Sequence, residues 1–440
     1  MYICDKKYRF SWIFNRRFLI ILVLLDFIFF ISFLKNLREA NISLNIIDSL
    51  IFLFIGYLFG RYEILKIKFQ YSFFKYLKNT FLSLLCLILI NFSLKVFFKV
   101  NFLIVLNDLD SKLLSIIILN SFLIQITLRE FFKKFYYKYS WTFIGDFESY
   151  NLLKRICKNA KESNFHEFYF CEDINTASLE KRNGLIIQNK EILGEISQKI
   201  ESEKVYNSEI ITLNSWCKKY LELCNSQNLD KEEVFLIKNL DNKGFNLIKR
   251  IADILISLIL IIYSLPIILI AGIFIKISDN GPIFYSQIRK GKNGKLFRVI
   301  KLRTMIVDAE AGKAVWSTKN DNRITFIGKY LRILRFDELP QLFLVFKGEM
   351  SLIGPRPERP QIDEYLEAEI NFYKLRYKIK PGLSGWAQVN YPYGATLEDS
   401  KNKLNYDLYY ILNSNLFLDS LIFFKTIKIV FNRNLSLPKT

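Results

Sequence analysis

Hydrophobic residues are concentrated in four long stretches within the first third of the chain. They run roughly over residues 18–34, 46–59, 81–98 and 113–128. Several of them approach the ~20 residues that a helix needs to cross a bilayer. The pattern predicts a four-helix transmembrane region over residues 1–139. A cleavable signal peptide is an alternative for the first stretch alone, although no small-residue cleavage site follows it.

Lysine and arginine form alternating heavy and light clusters around these stretches. The heavy clusters lie within residues 6–17, 61–78 and 129–138, and the lighter ones within 35–38 and 99–112. Loops rich in basic residues stay in the cytoplasm. We therefore expect both ends of the four-helix region to be cytoplasmic.

The pattern changes to that of a soluble α/β region between Ser140 and about Asn242. Short apolar runs alternate there with charged, helix-compatible segments, and the runs lie near residues 142–145, 167–170, 184–187, 209–211 and 234–237. This alternation predicts a Rossmann-like domain with a parallel sheet over residues 140–242. The second and third glycines of a GxGxxG motif are absent after Gly145, which argues against a bound dinucleotide. His166 and Cys171 are interpreted as packing residues.

A fifth apolar stretch, residues 254–275, is interrupted by Ser264-Leu265-Pro266 and has basic residues on both sides. A proline inside a helix removes one backbone hydrogen bond and favours a bend. Because neither flank is marked as external, the pattern predicts a re-entrant helix over residues 250–277 that enters the inner leaflet and returns. A kinked spanning helix is the alternative, and it would place the rest of the chain outside the cell.

Composition and charge narrow the possible chemistry. The chain has 440 residues, is 51% hydrophobic and has a net charge of +20, which excludes a disordered chain and fits a membrane protein with basic loops. There is no CxxC pair, and neither Cys nor His occurs after Cys224. These absences exclude a Cys/His zinc site and a Ser/His/Asp or Cys/His triad there. Catalysis in this part must use carboxylates and cations, and any metal would need oxygen ligands.

Basic residues follow the fifth stretch in a segment with glycine turns, which predicts a short β-hairpin within residues 281–305. Arg289, Lys290 and Lys292 are interpreted as solvated or lipid-headgroup cations rather than substrate ligands. Lys301 and Arg303 are different because they share one strand face, so they are candidate site residues.

The adjacent carboxylates Asp337 and Glu338 lie in the segment 323–346, whose apolar residues have helical spacing up to Leu334 and whose helix is expected to end near Pro340. Buried carboxylates are costly unless they pair with cations or a metal. Two interpretations remain open. The pair could be structural partners of nearby arginines such as Arg332, or one carboxylate could attack phosphorus while the other holds Mg²⁺.

Two loops downstream could complete a site. Residues 351–358 form a proline-stiffened loop that would fix the direction of Arg356, a suitable ligand for phosphate. Residues 381–390 form a glycine-rich turn containing Trp386 and Gln388. The turn could hold a nucleotide or a sugar, and an ordinary structural turn is the open alternative.

These motifs, in this order, resemble the bacterial sugar transferase family of monotopic phosphoglycosyl transferases over residues from about 249 to 431. The resemblance rests on Ser264, Pro266, Arg332 and Arg376 and on KLRTM at 301–305, DELPQ at 337–341, KGEMS at 347–351, GPRP at 354–357, PGLSGWAQVN at 381–390 and YDLYY at 406–410. It implies transfer of a sugar phosphate from a nucleotide diphosphate sugar, such as a UDP-hexose, to polyprenyl phosphate.

The resemblance also implies roles for individual residues. Asp337 would be the nucleophile of a ping-pong reaction with an aspartyl-phosphosugar intermediate, and Glu338 the Mg²⁺ ligand. The expected phosphate-binding or structural cations are Lys301, Arg303, Arg332, Arg356 and Arg376, and Gln388 and Asp407 are further candidates for substrate binding. Ser264 and Pro266 would form the break of the re-entrant helix.

The implied fold has a membrane α-helical N-terminal bundle, a Rossmann-like middle domain and a mainly α monotopic catalytic domain over residues 243–440. The whole resembles the larger family members that initiate exopolysaccharide, capsule or O-antigen repeat units at the bacterial inner membrane, with the catalytic domain facing the cytoplasm. Inner-membrane lipid and downstream glycosyltransferases are the further partners implied, nucleic acid is not, and a homodimer is left open. The apolar C-terminal run over residues 416–431 is expected to lie in the membrane interface.

Two other functional classes compete with this interpretation. A transporter or channel would place ionisable residues inside the spans, where only Asp26 and Lys95 qualify. A non-catalytic membrane sensor would leave Asp337 and Glu338 dispensable.

Overall fold

The computed structural model describes residues 16–37, 42–62, 76–87, 119, 121–127, 139–159, 166–172, 184–189, 192, 209–239, 243–307, 309, 321–391, 394 and 396–431. The chain divides into two compact units. The first covers Trp12–Tyr139, and the second contains Ser140–Thr440.

Most of the described residues of the first unit are helical. Helices α1 (Arg17–Leu37) and α2 (Ile42–Leu58) coincide with the first two predicted spans, and residues 76–87 and 121–127 are also helical. Much of the third and fourth predicted spans lies outside the described residues, so the four-helix bundle stays a prediction.

A buried polar cluster joins these helical segments. The Asp26 carboxylate lies 3.2 Å from the Arg61 guanidinium and accepts a 2.5 Å hydrogen bond from Ser121 Oγ. Arg61 also donates to Tyr76 OH at 3.0 Å. Asp26 is therefore paired rather than facing an ion path, while Lys95 lies outside the described residues.

The middle region contains the predicted parallel sheet. Strands β1 (Tyr139–Ile144), β2 (His166–Cys171), β3 (Gly184–Ile187) and β4 (Glu209–Thr212) lie in the order β2-β1-β3-β4. Strand β3 is parallel to both β1 and β4. Helix α3 (Phe147–Asn159) follows β1, and the short α4 (Leu213–Trp216) runs into a π-helical turn, Cys217–Leu221. The Rossmann-like assignment beyond this parallel sheet stays a prediction.

Two details of the middle region qualify the sequence interpretation. The apolar run at residues 234–237 is not a strand, because it belongs to helix α5 (Lys231–Lys238), whose first turn is fixed by a capping box between Asp230 and Glu233. His166 lies among aromatic rings, where its Nδ1 accepts a 3.1 Å hydrogen bond from Trp141 Nε1. Burial lowers the pKa of His166 to about 4, so the imidazole packs as a neutral ring.

Helix α6 (Lys243–Asp279) is longer than the predicted 250–277 and continues through Pro266. Ser264 Oγ donates to the carbonyl of Ile261 at 3.1 Å, whereas the carbonyl that Pro266 leaves without a helical donor belongs to Ile262. Among the described residues, one helix is long and apolar enough to cross a membrane, and it is the Gly244–Ser278 part of α6. The re-entrant bend stays a prediction.

One face of α6 is buried against the rest of the second unit. Ile268, Ala271 and Ile275 pack with Leu302 and Leu331 in a hydrophobic core. The opposite face leaves large apolar side chains exposed, among them Ile262, Leu269 and Ile273. A long helix that is buried on one side and apolar on the other is suited to a lipid environment.

The remaining elements of the catalytic region follow α6 along the chain. Strands β5 (Phe284–Lys290) and β6 (Leu296–Leu302) form the predicted antiparallel hairpin. They are followed by α7 (Phe326–Ile333), a 3-10 turn (Phe336–Gln341), α8 (Leu342–Lys347), β7 (Ser351–Ile353), α9 (Pro360–Glu369), a second 3-10 turn (Tyr373–Lys378), β8 (Gly382–Ser384), α10 (Trp386–Asn390), α11 (Leu397–Asn413) and α12 (Leu416–Phe431). Strand β8 is parallel to β7.

The helix that was expected to run from residue 323 to near Pro340 is shorter, and the segment 323–346 is divided into three pieces. Arg335 adopts a left-handed conformation with φ of 58°, which ends α7. Pro340 then lies in the 3-10 turn before α8 begins. The division matters because it places Asp337 and Glu338 on the short middle piece.

Candidate active site

The carboxylates Asp337 and Glu338 lie in the first turn of the 3-10 segment Phe336–Gln341, and each is 8% exposed. The turn starts from the left-handed Arg335, whose carbonyl accepts the Glu338 backbone N–H at 3.3 Å. Two acidic side chains at this burial need compensating charge.

Glu338 receives its compensation from two elements that are distant in sequence. Its Oε1 accepts from Lys301 Nζ, at the end of β6, at 3.0 Å and from the Arg356 guanidinium at 2.6 Å. Burial alone would raise the pKa of Glu338, but the charges of Arg356 and Lys301 hold it well below its usual value. Glu338 is therefore ionised. The predicted candidates Lys301, Arg356 and Glu338 are brought together.

Asp337 has the opposite surroundings. Its Oδ1 is buried and accepts no hydrogen bond from the residues that the structure describes. Burial, together with the neighbouring Glu338 charge, raises the pKa of Asp337, although Lys301, Arg335 and Arg332 oppose the rise. Adjacent carboxylates whose pKa values are pushed apart are typical of sites where the two groups have different tasks.

Arg356 is held by a buried network behind it. Arg376 donates to the Arg356 carbonyl at 2.7 Å and pairs with Asp407 Oδ2 at 3.0 Å. Arg376 also donates to Tyr373 OH at 2.5 Å, and that hydroxyl donates to Asp363 Oδ1 at 2.9 Å. Arg376 and Asp407 are only 8% and 2% exposed. The structure thus places these two predicted ligands as supports of Arg356 rather than on the surface of the site.

A second support of the Arg356 loop was missed by the sequence interpretation. Arg289 NH1 donates to the Pro357 carbonyl at 3.2 Å, and Lys290 Nζ lies 2.7 Å from Glu367 Oε1. Interpreting Arg289 and Lys290 as lipid-headgroup cations was therefore wrong, because both are engaged in contacts within the protein. These partners lie 68 and 77 residues away along the chain, so no local pattern could have indicated them.

Arg303 follows the end of β6, and Arg332 lies in α7, where its charge opposes the raised pKa of Asp337. Arg332 Nε donates to Thr304 Oγ1 at 2.8 Å. The Arg303 guanidinium packs against the backbone of Gly281, where a β-carbon would collide with it. Arg303 is 7% exposed, so its charge is directed into the protein rather than toward solvent.

The glycine-rich turn at residues 381–390 is a structural junction. Trp386 is 1% exposed and donates from Nε1 to the Glu222 carbonyl at 2.9 Å, so its ring is not available as a stacking platform. Gln388 Nε2 donates to the Leu383 carbonyl at 3.2 Å. Of the two interpretations left open by the sequence, these contacts favour the structural turn.

The carboxylate pair fits a hard divalent cation such as Mg²⁺. No group of three or more Asp, Glu, His or Cys residues within the described ranges could form an all-protein cage. Mg²⁺ needs only one or two carboxylates when phosphate oxygens and water complete its shell. Lys301 and Arg356 both bind Glu338 through Oε1. Glu338 Oε2 and Asp337 Oδ1 therefore have no protein partner among the described residues.

The site therefore combines one ionised carboxylate, one carboxyl group with a raised pKa and several guanidinium and ammonium groups. Such a set can bind an anionic group and stabilise negative charge that spreads over phosphoryl oxygens. The adjacent acid can serve as a nucleophile.

Comparison with known proteins leads to the same part of the chain. The bacterial sugar transferase family matches residues 245–433. A putative undecaprenyl-phosphate N-acetylgalactosaminyl 1-phosphate transferase of Bacillus subtilis is 51% identical over 129 residues, which is 72% of that protein and 29% of this chain. A UDP-glucose:undecaprenyl-phosphate glucose-1-phosphate transferase of Caulobacter vibrioides is 36% identical over 181 residues, covering 68% of its length and 41% of this chain.

Longer relatives are matched over a smaller share of their own length. The UDP-N-acetylgalactosamine-undecaprenyl-phosphate N-acetylgalactosaminephosphotransferase of Aeromonas hydrophila is 45% identical over 183 residues, which is 42% of this chain and 43% of that protein. The aligned part thus spans less than half of that relative. Since the family match contains both carboxylates and every cation that contacts them, the chain belongs to the bacterial sugar transferase family.

Proposed function

We propose that the chain transfers a sugar 1-phosphate from a nucleotide diphosphate sugar to polyprenyl phosphate. The observation that carries the proposal is the buried Asp337–Glu338 pair, with Lys301 and Arg356 both bonded to Glu338. The names of the relatives support the substrate classes, because they specify UDP-glucose or UDP-N-acetylgalactosamine and undecaprenyl phosphate. A UDP-hexose is accordingly the proposed donor.

The proposed reaction has two steps. Asp337 attacks the phosphorus that bears the sugar, and the bond between this phosphorus and the bridging oxygen breaks, so that a nucleoside monophosphate leaves. An oxygen of polyprenyl phosphate then attacks the same phosphorus. The lipid-linked product forms, and the Asp337 carboxylate is released unchanged.

The surroundings of Asp337 suit this task. Its raised pKa reflects the cost of holding a second negative charge beside Glu338 in a buried place. Forming an acyl phosphate removes that charge from the carboxylate, so part of the cost is relieved when the intermediate forms. Lys301 and Arg356 would stabilise the charge on the transferring phosphoryl group.

Glu338 is the proposed ligand of Mg²⁺, together with substrate phosphate oxygens. When bound, the ion would neutralise charge on the diphosphate and assist departure of the nucleoside monophosphate. The cations around Glu338 keep its carboxylate ionised and so ready for this role.

The membrane anchor supports the choice of lipid acceptor. Polyprenyl phosphate keeps its phosphate at the membrane surface, and the exposed apolar face of α6 would hold the catalytic region at the same level. We place the site on the cytoplasmic side of the bacterial inner membrane, where activated sugars are available. The product would begin an exopolysaccharide, capsule or O-antigen repeat unit and pass to downstream glycosyltransferases.

Replacing the nucleophile tests the proposal. Membranes containing the full chain, Mg²⁺ and polyprenyl phosphate would be supplied with a panel of nucleotide sugars, and release of nucleoside monophosphate would be followed. Asp337→Asn should lower turnover by roughly three orders of magnitude or more. Glu349→Gln, at an exposed carboxylate, should stay within about twofold because a surface carboxylate with no partner among the described residues contributes little.

The covalent intermediate supplies an independent readout. Without the lipid acceptor, the wild-type protein should gain the mass of a phosphosugar, and Asp337→Asn should not. Turnover retained by Asp337→Asn, or a phosphosugar on another residue, would contradict the assignment of the nucleophile.

A further inference from the structure

A short segment of the middle α/β region is buried against the catalytic region. Residues 222–226, here called the strap, follow the π-helical turn, and Glu222 has a left-handed φ of 56°. Leu223, Cys224, Asn225 and Ser226 are between 0% and 3% exposed. A buried irregular segment must find partners for its backbone groups.

Those partners come from both the catalytic region and the middle region. Asn405 of α11 binds the strap twice, because its carbonyl accepts from Cys224 N at 2.9 Å and its Oδ1 accepts from Ser226 N at 2.9 Å. Trp386 Nε1 donates to the Glu222 carbonyl at 2.9 Å. On the other side, Asn214 of the middle region accepts from Asn225 N at 2.9 Å. The strap is therefore bonded to both regions through its backbone.

The first route from the strap to the site runs along α11. Asn405 lies two residues before Asp407, which pairs with Arg376 at 3.0 Å. Arg376 in turn binds the Arg356 carbonyl at 2.7 Å, and the Arg356 guanidinium binds Glu338 at 2.6 Å. Because α11 is a rigid helix, fixing it at Asn405 also fixes the position of Asp407.

A second route runs through Trp386. Its ring stacks on Tyr409 of α11 at 6.1 Å, and α10 follows directly after β8. Strand β8 then binds the start of the Arg356 loop, since Gly354 N donates to the Ser384 carbonyl at 2.8 Å and Gly382 N donates to the Pro355 carbonyl at 2.9 Å. Both routes end at Arg356.

We propose that the strap is part of the scaffold that sets the position of Arg356, with Asn405 and Trp386 as positioning residues for the transfer reaction. The inference rests on the proposed function, because that reaction supplies its readout. By this inference the middle region contributes to catalysis without binding a ligand. The strap docks the middle region on the catalytic region, and this docking keeps the Arg356 loop in the geometry that holds Glu338.

The test is Asn405→Ala in the full chain, with Asn413→Ala as the matched control. Both residues are buried asparagines of α11, at 5% and 7% exposure. Among the described residues, however, Asn413 Nδ2 bonds only to the Tyr409 carbonyl within the same helix. Loss of one buried hydrogen bond by Asn405→Ala should lower kcat roughly three- to tenfold, with KM for the nucleotide sugar nearly unchanged. Asn413→Ala should leave kcat within about twofold, since its bond lies outside both routes.

A double-mutant cycle separates positioning from general stability. In an Arg356→Lys background, Asn405→Ala should lower kcat by less than about twofold, because the group that it positions is already changed. Trp386→Phe keeps an aromatic ring and removes the Nε1 donor. It should lower kcat in the wild-type background and lower it less in the Arg356→Lys background, and it replaces Asn405→Ala in the test if that variant does not fold.

Two results would overturn the proposal. One is an equal loss of kcat in Asn405→Ala and Asn413→Ala. The other is a double variant, Asn405→Ala with Arg356→Lys, whose loss of kcat equals the product of the two single losses. Absence of transfer by the wild-type chain with every nucleotide sugar would instead contradict the proposed function, so the two failures are distinguishable.

Discussion

At the scale of residues, side chains with the same carboxyl group acquire different chemistry from their neighbours. Asp337 and Glu338 are adjacent and equally exposed, yet only Glu338 contacts Lys301 and Arg356 directly. One pKa is raised and the other is lowered. The sequence predicted that the pair would matter, but the assignment of tasks depends on which cations reach which oxygen.

The pH dependence of stability is a prediction for Asp407. Its burial raises the pKa to about 6, although Arg376 opposes the rise. The unfolded carboxyl titrates near ~3.9, so the folded protein binds the proton more tightly and its stability falls as the pH rises through this window. Between pH 5 and pH 7 the free energy of unfolding should fall by about 1 kcal/mol, and Asp407→Asn should remove this dependence on pH.

Thermal unfolding of wild type and Asp407→Asn in detergent, at both pH values, measures this difference. Other groups titrate in both proteins and cancel in the comparison. An equal dependence on pH in the two proteins would show that Asp407 does not titrate there.

At the scale of elements, the position of Arg332 depends on how closely α7 packs against Thr304, just after the end of β6. Gly328 makes this close packing possible, because a β-carbon at this position would collide with the Thr304 carbonyl oxygen. The same carbonyl accepts from Thr325 N at 3.1 Å, and Arg332 binds the Thr304 hydroxyl. No periodicity in the sequence indicates such a close approach.

Gly328→Ala should therefore push α7 away from Thr304 and loosen the Arg332 contact. The expected cost is about 1–3 kcal/mol of stability, together with a loss of turnover. Gly244→Ala in α6 is the control, since a β-carbon there has no heavy atom within 4 Å. Thermal unfolding and nucleoside monophosphate release measure both variants, and equal behaviour of the two would contradict this close packing.

Helix α12 shows how an ambiguous pattern is resolved by packing. Its polar residues interrupt the apolar run that was expected at the membrane interface. Asp419 turns inward to accept from Tyr410 OH at 2.5 Å and lies 2.5 Å from Lys249 Nζ, while Lys425 binds Asn390 at 2.7 Å. Asp419 and Lys425 thus attach α12 to the rest of the catalytic region, and Phe417 and Phe424 remain exposed on the helix.

At the scale of the whole molecule, the topology of α6 decides on which side of the membrane the site works. The helix is long enough to span a membrane, so length alone does not distinguish a spanning helix from a re-entrant one. Basic residues on both flanks favour re-entry. A re-entrant helix would leave its C-terminal end on the cytoplasmic side.

Accessibility of that end tests the topology. Ile277→Cys, at a position that is 74% exposed, would be made in a chain whose Cys4 and Cys86 are replaced by serine. A membrane-impermeant maleimide should not label it from outside intact cells and should label it after permeabilisation. External labelling of intact cells would refute re-entry.

The sequence by itself determined the apolar segments, the parallel α/β character of the middle region, the β5–β6 hairpin and the residues that carry the family motifs. These features are encoded locally, in the spacing of apolar residues and in short motifs whose order identifies the family. Ser264 and Pro266 were also visible locally, although their effect on the shape of α6 is not decided by spacing alone.

Only the tertiary structure decided which motif residues contact the carboxylates directly and which instead hold those contacting residues in place. Arg376 and Asp407 had the residue types of substrate ligands, and Trp386 that of a stacking plate, yet all three are buried in contacts with other elements. The physical reason is that charge pairing and burial depend on distance in space. The decisive partners are separated by up to 179 residues along the chain, as Ser226 and Asn405 are, and no local pattern records such a meeting.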